Sequence, residues 1–237
     1  MGRSERAFDS VRLIPYFAGL DGADFRELTR SVRERSYRKD ESVLHEDEPC
    51  RGLYVVLAGR VKVFKLSAMG REQVLRVLGP GRTFNDVPVF DGGRNPASIS
   101  ALEDSRIALI PKDRILALVD HHPRVAQAVI RVLASRLRAM TVLIEDLALR
   151  GVVARVAKLL LDCAAGRETV IEDRAGGCAR LTQQQIAAMT GSVREVVQRA
   201  LKTLEREGVI ETGRARVRIL DPAALERWSE WGGAPPG

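Results

Sequence analysis

Leu181–Arg206 reads LTQQQIAAMTGSVREVVQRALKTLER. The pattern predicts two helices joined by a tight turn. Thr182 stands three residues before Gln185, and Ser192 three before Glu195. Both pairs have the capping-box spacing, in which a hydroxyl and a Glu or Gln side chain satisfy the free amides of a helix start. Thr190-Gly191 lies between them, and glycine turns a helix end through a left-handed conformation without a Cβ clash. Ala187 is small enough to let a second helix pass, and Val197 can pack back on the first. Small residue, glycine turn and inward apolar residue in that order predict a helix-turn-helix.

The second helix has two faces. Val197, Leu201 and Leu204 form a core stripe. Arg194, Glu195, Gln198, Arg199 and Lys202 share the other side. Arginine pairs bidentately with guanine, and glutamate accepts from the cytosine amine. The same residues also fit an ordinary amphipathic helix with a solvated charged face and Glu195 as a cap alone. Downstream, Val209–Ile219 reads as a hairpin on which Arg214, Arg216 and Arg218 alternate onto one face. Such a row suits phosphate contacts, or is a solvated edge strand. Between Arg180 and Arg218 eight basic residues face four glutamates. The final GGAPPG is expected to be disordered.

The chain has 237 residues, enough for one large domain or two modest ones, and a net charge of +7. That charge is a mild bias toward polyanions. Cys50, Cys163 and Cys178 are widely spaced, without a C-x-x-C, so no zinc ribbon or iron–sulfur site is offered. Their odd number argues against a disulfide framework. The N-terminus lacks a hydrophobic signal core and no apolar run reaches membrane length, so a cytoplasmic protein is the expectation.

Residues 1 to about 35 read as short helices, with an apolar start at Leu13–Phe17. From about Ser36 to Lys112, short β-branched runs are separated by glycine-bearing turns, as in a β-barrel or sandwich. Ile130, Leu133, Leu137, Met140, Ile144 and Leu147 then follow a heptad seam. A seam so narrow, bordered by Arg131, Arg136, Arg138, Glu145 and Asp146, predicts a helix shared between two subunits. A stripe packed on its own domain is the alternative. A two-fold dimer suits a helix-turn-helix, because paired half-sites repeat along the duplex. Gly151 reads as a hinge, Val152–Ala165 as an amphipathic helix, and 166–180 as strand and loop.

This order resembles the Crp–Fnr family of bacterial transcription regulators over roughly residues 12–220. Gly52–Val61 looks like the family's β-roll signature. Gly81–Ala101 looks like its ligand cassette. Arg155–Leu160 and Leu181–Gly208 look like its DNA-binding domain. The resemblance implies an α+β fold. A cyclic-nucleotide-binding-like β-roll, a jelly roll, would span 1–111, a dimerisation helix 112–150 and a winged helix-turn-helix 151–237. It implies that Arg194, Glu195 and Arg199 read a TGTGA-like palindrome, with Gln198 between them, in double-stranded DNA. Thr182 and Ser192 would lie near phosphates, joined by Lys202, Arg214 and Arg216. A homodimer and RNA polymerase are the implied partners.

The cassette departs from the family pattern. Cyclic-AMP-binding members carry Gly-Glu for the ribose, then Arg-Ser for the cyclic phosphate, then Ala. Here the pairs are Asn85-Asp86 and Asn95-Pro96, followed by Ala97. The phosphate loses its charge-assisted arginine, and Pro96 offers neither hydroxyl nor N–H. Met140-Thr141 keeps one of two hydroxyls that would meet adenine. Cyclic AMP is therefore not expected, and the effector is another molecule. Two alternatives stand beside it: a constitutive DNA binder with a vestigial cassette, and a haem-based gas sensor. His45, His121, His122 and Cys50 are the candidate ligands, although single histidines are more often surface or hydrogen-bonded residues. A ligand-binding module whose partner is a protein is a further reading, opposed by the intact Arg194-Glu195-Arg199 face. No convergent acid, base or nucleophile supports an enzyme, and no metal cluster is offered.

Overall fold

The computed structural model describes residues 14–17, 20–165, 171–172, 181–213 and 216–231. They fall into two compact units. The first comprises the chain up to Lys65 and Val77–Leu137. The second comprises Leu66–Arg76 and the chain from Arg138 onward.

In the first unit, a 3-10 turn at Pro15–Phe17 precedes α1 (Gly22–Ser31). Asp21 starts that helix by accepting the N–H groups of Ala23 at 2.8 Å and Asp24 at 2.9 Å. The strands are β1 (Arg33–Tyr37), β2 (Ser42–Leu44), β3 (Gly52–Ala58), β4 (Val61–Leu66), β5 (Glu72–Leu78), β6 (Thr83–Phe84), β7 (Ser98–Ala101) and β8 (Ser105–Pro111). Helix α2 (Asp86–Asp91) follows β6; α3 (Lys112–His121) and α4 (Pro123–Leu149) follow β8. One sheet has the order β1-β8-β3-β6. The other pairs β2 with β7 and β7 with β4; most of β5, and β9 (Ile171–Glu172), belong to the second unit.

Strand β3 organises the unit because it is apolar on both faces. Side chains alternate along a strand. Leu53, Val55 and Leu57 therefore enter one core with Ile14, Phe17, Phe25, Ile115 and Val125. Tyr54 and Val56 enter the other, between the sheets, with Tyr37, Leu44, Phe84, Ile99 and Ile107. Strand β3 pairs antiparallel with β8, Tyr54 opposite Leu109 and Val56 opposite Ile107. The strands expected from the turn pattern are present within a residue or two, though the first begins already at Arg33.

Helix α4 carries two stripes. Val125 and Val129 are buried against the first core, with Val132 and Leu133 packed partly on it. Leu133, a member of the expected seam, thus already leans on its own domain. Ile130, Leu137 and Ile144 stay 65%, 69% and 65% exposed. The segment expected as one helix from 112 is two, because the chain leaves α3 at His122 in an extended conformation and restarts at Pro123. Proline suits a first helical turn, where no N–H is needed.

The second unit contains α5 (Val152–Ala164), α6 (Gln183–Met189), α7 (Arg194–Arg206), the hairpin β10 (Ile210–Gly213) and β11 (Arg216–Ile219), and α8 (Pro222–Trp231). Gly151 caps α5 at φ −64, with no need of a left-handed turn. Asp146 near the end of α4 pairs with Lys158 of α5 and with Arg150. Helix α8 was not read from the sequence. Its signal is Asp221-Pro222: the Asp221 carboxylate accepts the Ala224 N–H at 2.9 Å. Cys163 is held in a disulfide, against the expectation from the odd count, while Cys50 is free. The GGAPPG tail, most of 166–180 and Arg214 lie outside the described residues.

Candidate nucleic-acid interface

Helix α6 starts on the expected capping box. The Gln185 N–H donates to the Thr182 hydroxyl at 3.2 Å, and the Thr182 N–H donates to Gln185 Oε1 at 2.9 Å. That hydroxyl is engaged as a cap. The second expected box does not form. Val193 is the N-cap of α7 and no side chain caps it. The turn uses one residue more than the Ser192–Glu195 spacing assumed, so Glu195 sits in the first turn with its side chain unspent. Near the positive end of the helix a carboxylate is stabilised without a capping bond.

Gly191 makes the turn at φ 62, and the Ser192 N–H closes it on the Ala187 carbonyl at 2.9 Å. A Cβ there would also meet Leu147 Cδ2 at 2.6 Å and Gln73 Oε1 at 2.9 Å. Arg71 in the same hairpin tip donates to the Gly191 carbonyl. Gly191→Ala is expected to cost at least about 1–2 kcal/mol from the left-handed conformation alone. A tryptophan-monitored thermal melt reads this, since Trp228 and Trp231 both belong to this unit. An unchanged midpoint would refute it.

Beneath α7, Val197, Ala200, Leu201 and Leu204 are buried. Above it, Arg194, Glu195, Gln198, Arg199 and Lys202 are exposed. None of these five side chains has a hydrogen bond or ion pair among the described residues. The buried stripe fixes the helix, and the opposite face is left with free donors and one acceptor. Sequence reading missed the clamp on the wing. The Thr212 hydroxyl donates to Glu205 at 2.6 Å and its N–H at 2.9 Å, and these bonds hold the Glu205 carboxyl below its usual range. The arginine row is reduced. Arg218 pairs across the hairpin with Glu211 at 2.6 Å, because the two are register partners. For Arg216 only the backbone is described.

Asn85, Asp86, Asn95, Pro96 and Ala97 lie in the first unit, where their polar contacts go to other parts of the protein. Asp86 is 2% exposed. It accepts from the Tyr16 hydroxyl at 2.5 Å and the Thr83 hydroxyl at 3.1 Å, and pairs with Arg136 of α4. Arg136 also donates to the Thr83 carbonyl at 2.9 Å. Burial first, then the Asp86 charge, pushes the Tyr16 phenol far up, so it stays a donor. Asn85, left-handed at φ 64, donates to the Gly52 carbonyl at 3.3 Å. Asn95 is 1% exposed; its amide donates to the His45 carbonyl at 3.1 Å, and its Oδ1 has no partner. Pro96 lends its carbonyl to Lys65 at 3.1 Å, and Ala97 is buried. On α4, Met140 is half-buried and Thr141 exposed, both beyond the first unit's end at Leu137.

Among the described residues no cluster of His, Cys, Asp and Glu is placed to hold a metal ion. His45 contacts the Ser42 hydroxyl at 3.1 Å, and His122 faces Asp24 at 3.2 Å. Burial pushes the Cys50 thiol up, which lowers its thiolate fraction.

Residues 34–122 match the cyclic nucleotide-binding domain model and residues 154–228 the Crp-like helix-turn-helix domain model. The CRP-like cAMP-activated global transcriptional regulator of Mycobacterium tuberculosis is 31% identical over 215 residues, 89% of this chain and 94% of that protein. The chain belongs to the Crp–Fnr family of transcription regulators. The Cyclic AMP receptor protein of Thermus thermophilus is 29% identical over 212 residues, 90% of this chain and 95% of that protein. The structure of FixK2 from Bradyrhizobium japonicum superposes with a TM-score of 0.70 at 26% identity, covering 83% of this chain and 96% of that one. This Crp–Fnr protein is thus a Crp-like DNA-binding transcription regulator. The relatives are regulators rather than enzymes. Among the described residues no helix is long and apolar enough to cross a membrane.

A cyclic nucleotide is the group this family model implies, and the residues present do not fit it. Asn95, which the resemblance sets at the place of the phosphate arginine, is buried and uncharged. Asp86, the acid that the resemblance sets at the ribose, is already held by three protein donors. A cyclic phosphate placed there would trade water for an uncharged amide.

Proposed function

We propose that this Crp–Fnr member is a homodimeric regulator that reads a TGTGA-like palindrome and answers to an effector other than cyclic AMP. Residues 1–111 would sense, 112–150 dimerise and 151–237 bind DNA. RNA polymerase is the expected further partner. The observation that carries the reading is the unpaired face of α7. Arg194, Glu195, Gln198 and Arg199 project from a helix whose other side is locked in the core. Phosphate contacts would come from Ser192 and Lys202, with Thr182, Arg214 and Arg216 beside them.

The dimer reading rests on Ile130, Leu137 and Ile144, one heptad apart and more than half exposed. A second copy of α4 would cover them, at about 1.5–3 kcal/mol for each side chain fully buried. Leu137→Lys is expected to halve the mass in sedimentation equilibrium and weaken binding to the palindrome. A wild-type mass for that variant would refute the seam. Adding cyclic AMP is expected to leave the affinity for DNA unchanged in the wild type. A tenfold gain would refute the effector assignment.

The internally paired Asp86 favours one second reading, a DNA binder that needs no effector. Full operator affinity in protein stripped of small molecules by unfolding and refolding would support it.

A further inference from the structure

At one open end of the β-roll a cavity of about 450 Å3 lies between the two sheets. It contains none of the cassette residues. Register builds it. Arg33 is opposite Leu109 and Arg35 opposite Ile107, while Leu109 is also opposite Tyr54. These side chains share the inner face of the sheet, and β2 closes the floor with Leu44.

Val43, Leu44, Ile107 and Leu109 give the cavity one apolar wall, beside which stand two tyrosines. Tyr37 and Tyr54 line it and are only 7% and 5% exposed. Neither hydroxyl has a hydrogen-bond partner among the described residues. Both hydroxyls reach the solvent of the cavity, where each is open to a hydrogen bond with a bound molecule. Burial pushes the Tyr54 phenol up to about 12 and raises that of Tyr37, so both are neutral donors.

The rim is basic. Arg35 is taken by Glu41 at 3.1 Å and lies over the Tyr37 ring at 4.7 Å. Glu34 turns to Arg106 at 3.7 Å. Arg33 and Arg51 have no ion pair among the described residues. Glu48 is the remaining acid at the rim, and it accepts the His45 N–H at 3.5 Å. Two free guanidinium groups against one carboxylate leave the mouth positive.

We propose that this cavity binds a small amphiphilic anion. A flat or aliphatic body would lie on the floor beside Tyr54 and Leu109. A carboxylate or phosphate monoester head would sit between Arg33 and Arg51, where a guanidinium fork matches it. The volume is in the range of small-molecule sites, and the five charged residues among the twelve that line it, Arg33, Glu34, Arg35, Glu48 and Arg51, suit a charged head more than a wholly apolar ligand. The cavity is also one ring away from the cassette. Tyr54 stacks on Phe84 at 5.1 Å between centroids and 10° between planes. Phe84 is followed by Asn85 and by Asp86, which holds Arg136 of α4. A ligand that moves the Tyr54 ring therefore presses on the segment that anchors the long helix.

Calorimetric titration of the full chain at fixed ionic strength tests this. The probes are octanoate and phenyl phosphate, with the neutral 1-octanol and phenol as matched bodies. At least one anion is expected to bind saturably, and its neutral counterpart at least about tenfold more weakly. Arg51→Glu and Arg33→Glu, both at exposed positions, are expected to weaken the anion at least about tenfold without moving the melting midpoint. The stronger of the two anions names the head group. Absence of saturation by about 10 mM, equal binding of the neutral bodies, or wild-type affinity in both charge-reversed variants would each overturn the site. The titration reads the sensor unit alone, so its failure leaves the DNA-reading assignment standing.

Discussion

Asp86→Ala is expected to lower the stability of the first unit by about 3–5 kcal/mol. Asp86 is 2% exposed and the Arg136 side chain 18%. Removing the carboxylate strands a buried guanidinium, and the Tyr16 and Thr83 hydroxyls lose their acceptor as well. The Thr83 carbonyl and hydroxyl still accept from Arg136, at 2.9 and 2.7 Å, which favours the lower end of that range. The aromatic residues separate the readouts. All three tyrosines, Tyr16, Tyr37 and Tyr54, lie in the first unit, and both tryptophans in the second. In urea, the tyrosine transition should move to lower denaturant while the tryptophan transition stays. Adding Arg136→Met should recover part of the loss, because the unpaired charge goes too. A tyrosine transition within about 0.5 kcal/mol of wild type would show that the pair contributes nothing.

Arg199→Ala is expected to cost about 1–3 kcal/mol of specific DNA binding and to relax preference at a single base position. Its side chain is free on α7 while Leu201 and Ala200 beside it are buried, so truncation would remove the proposed base contact and no packing. Lys202→Ala should act differently. It should weaken all duplexes alike and reduce the salt slope by about one. Binding of palindromic and scrambled duplexes across a salt series separates the two. If Arg199→Ala discriminates between those duplexes as the wild type does, α7 does not read sequence through that residue.

Much of this follows from local rules. The capping box at Thr182 and the turn at Gly191 involve residues close in sequence, so spacing alone reveals them. The same holds for the split of α7 into a buried and a charged face. The strand pattern of the roll was legible because Leu53–Leu57 is an unbroken apolar run, the mark of a strand covered on both faces, here by two cores. The second capping box failed for a local reason as well. Val193 took the cap position once Gly191 had fixed where the chain re-enters a helix.

The sequence by itself determined the order of elements and the helix with one buried and one charged face. By resemblance it set Asn95 where a cation would be wanted. It could not show that Asp86 is already spoken for, because Tyr16 and Arg136 reach it from 70 and 50 residues away. Nor could it show that Arg218 is spent on Glu211, since strand register sets that pair. The cavity beside Tyr54 and the exposed heptad on α4 are of the same kind. Periodicity tells which residues share a face. Only the packing of one element on another decides whether that face is covered, paired or left open.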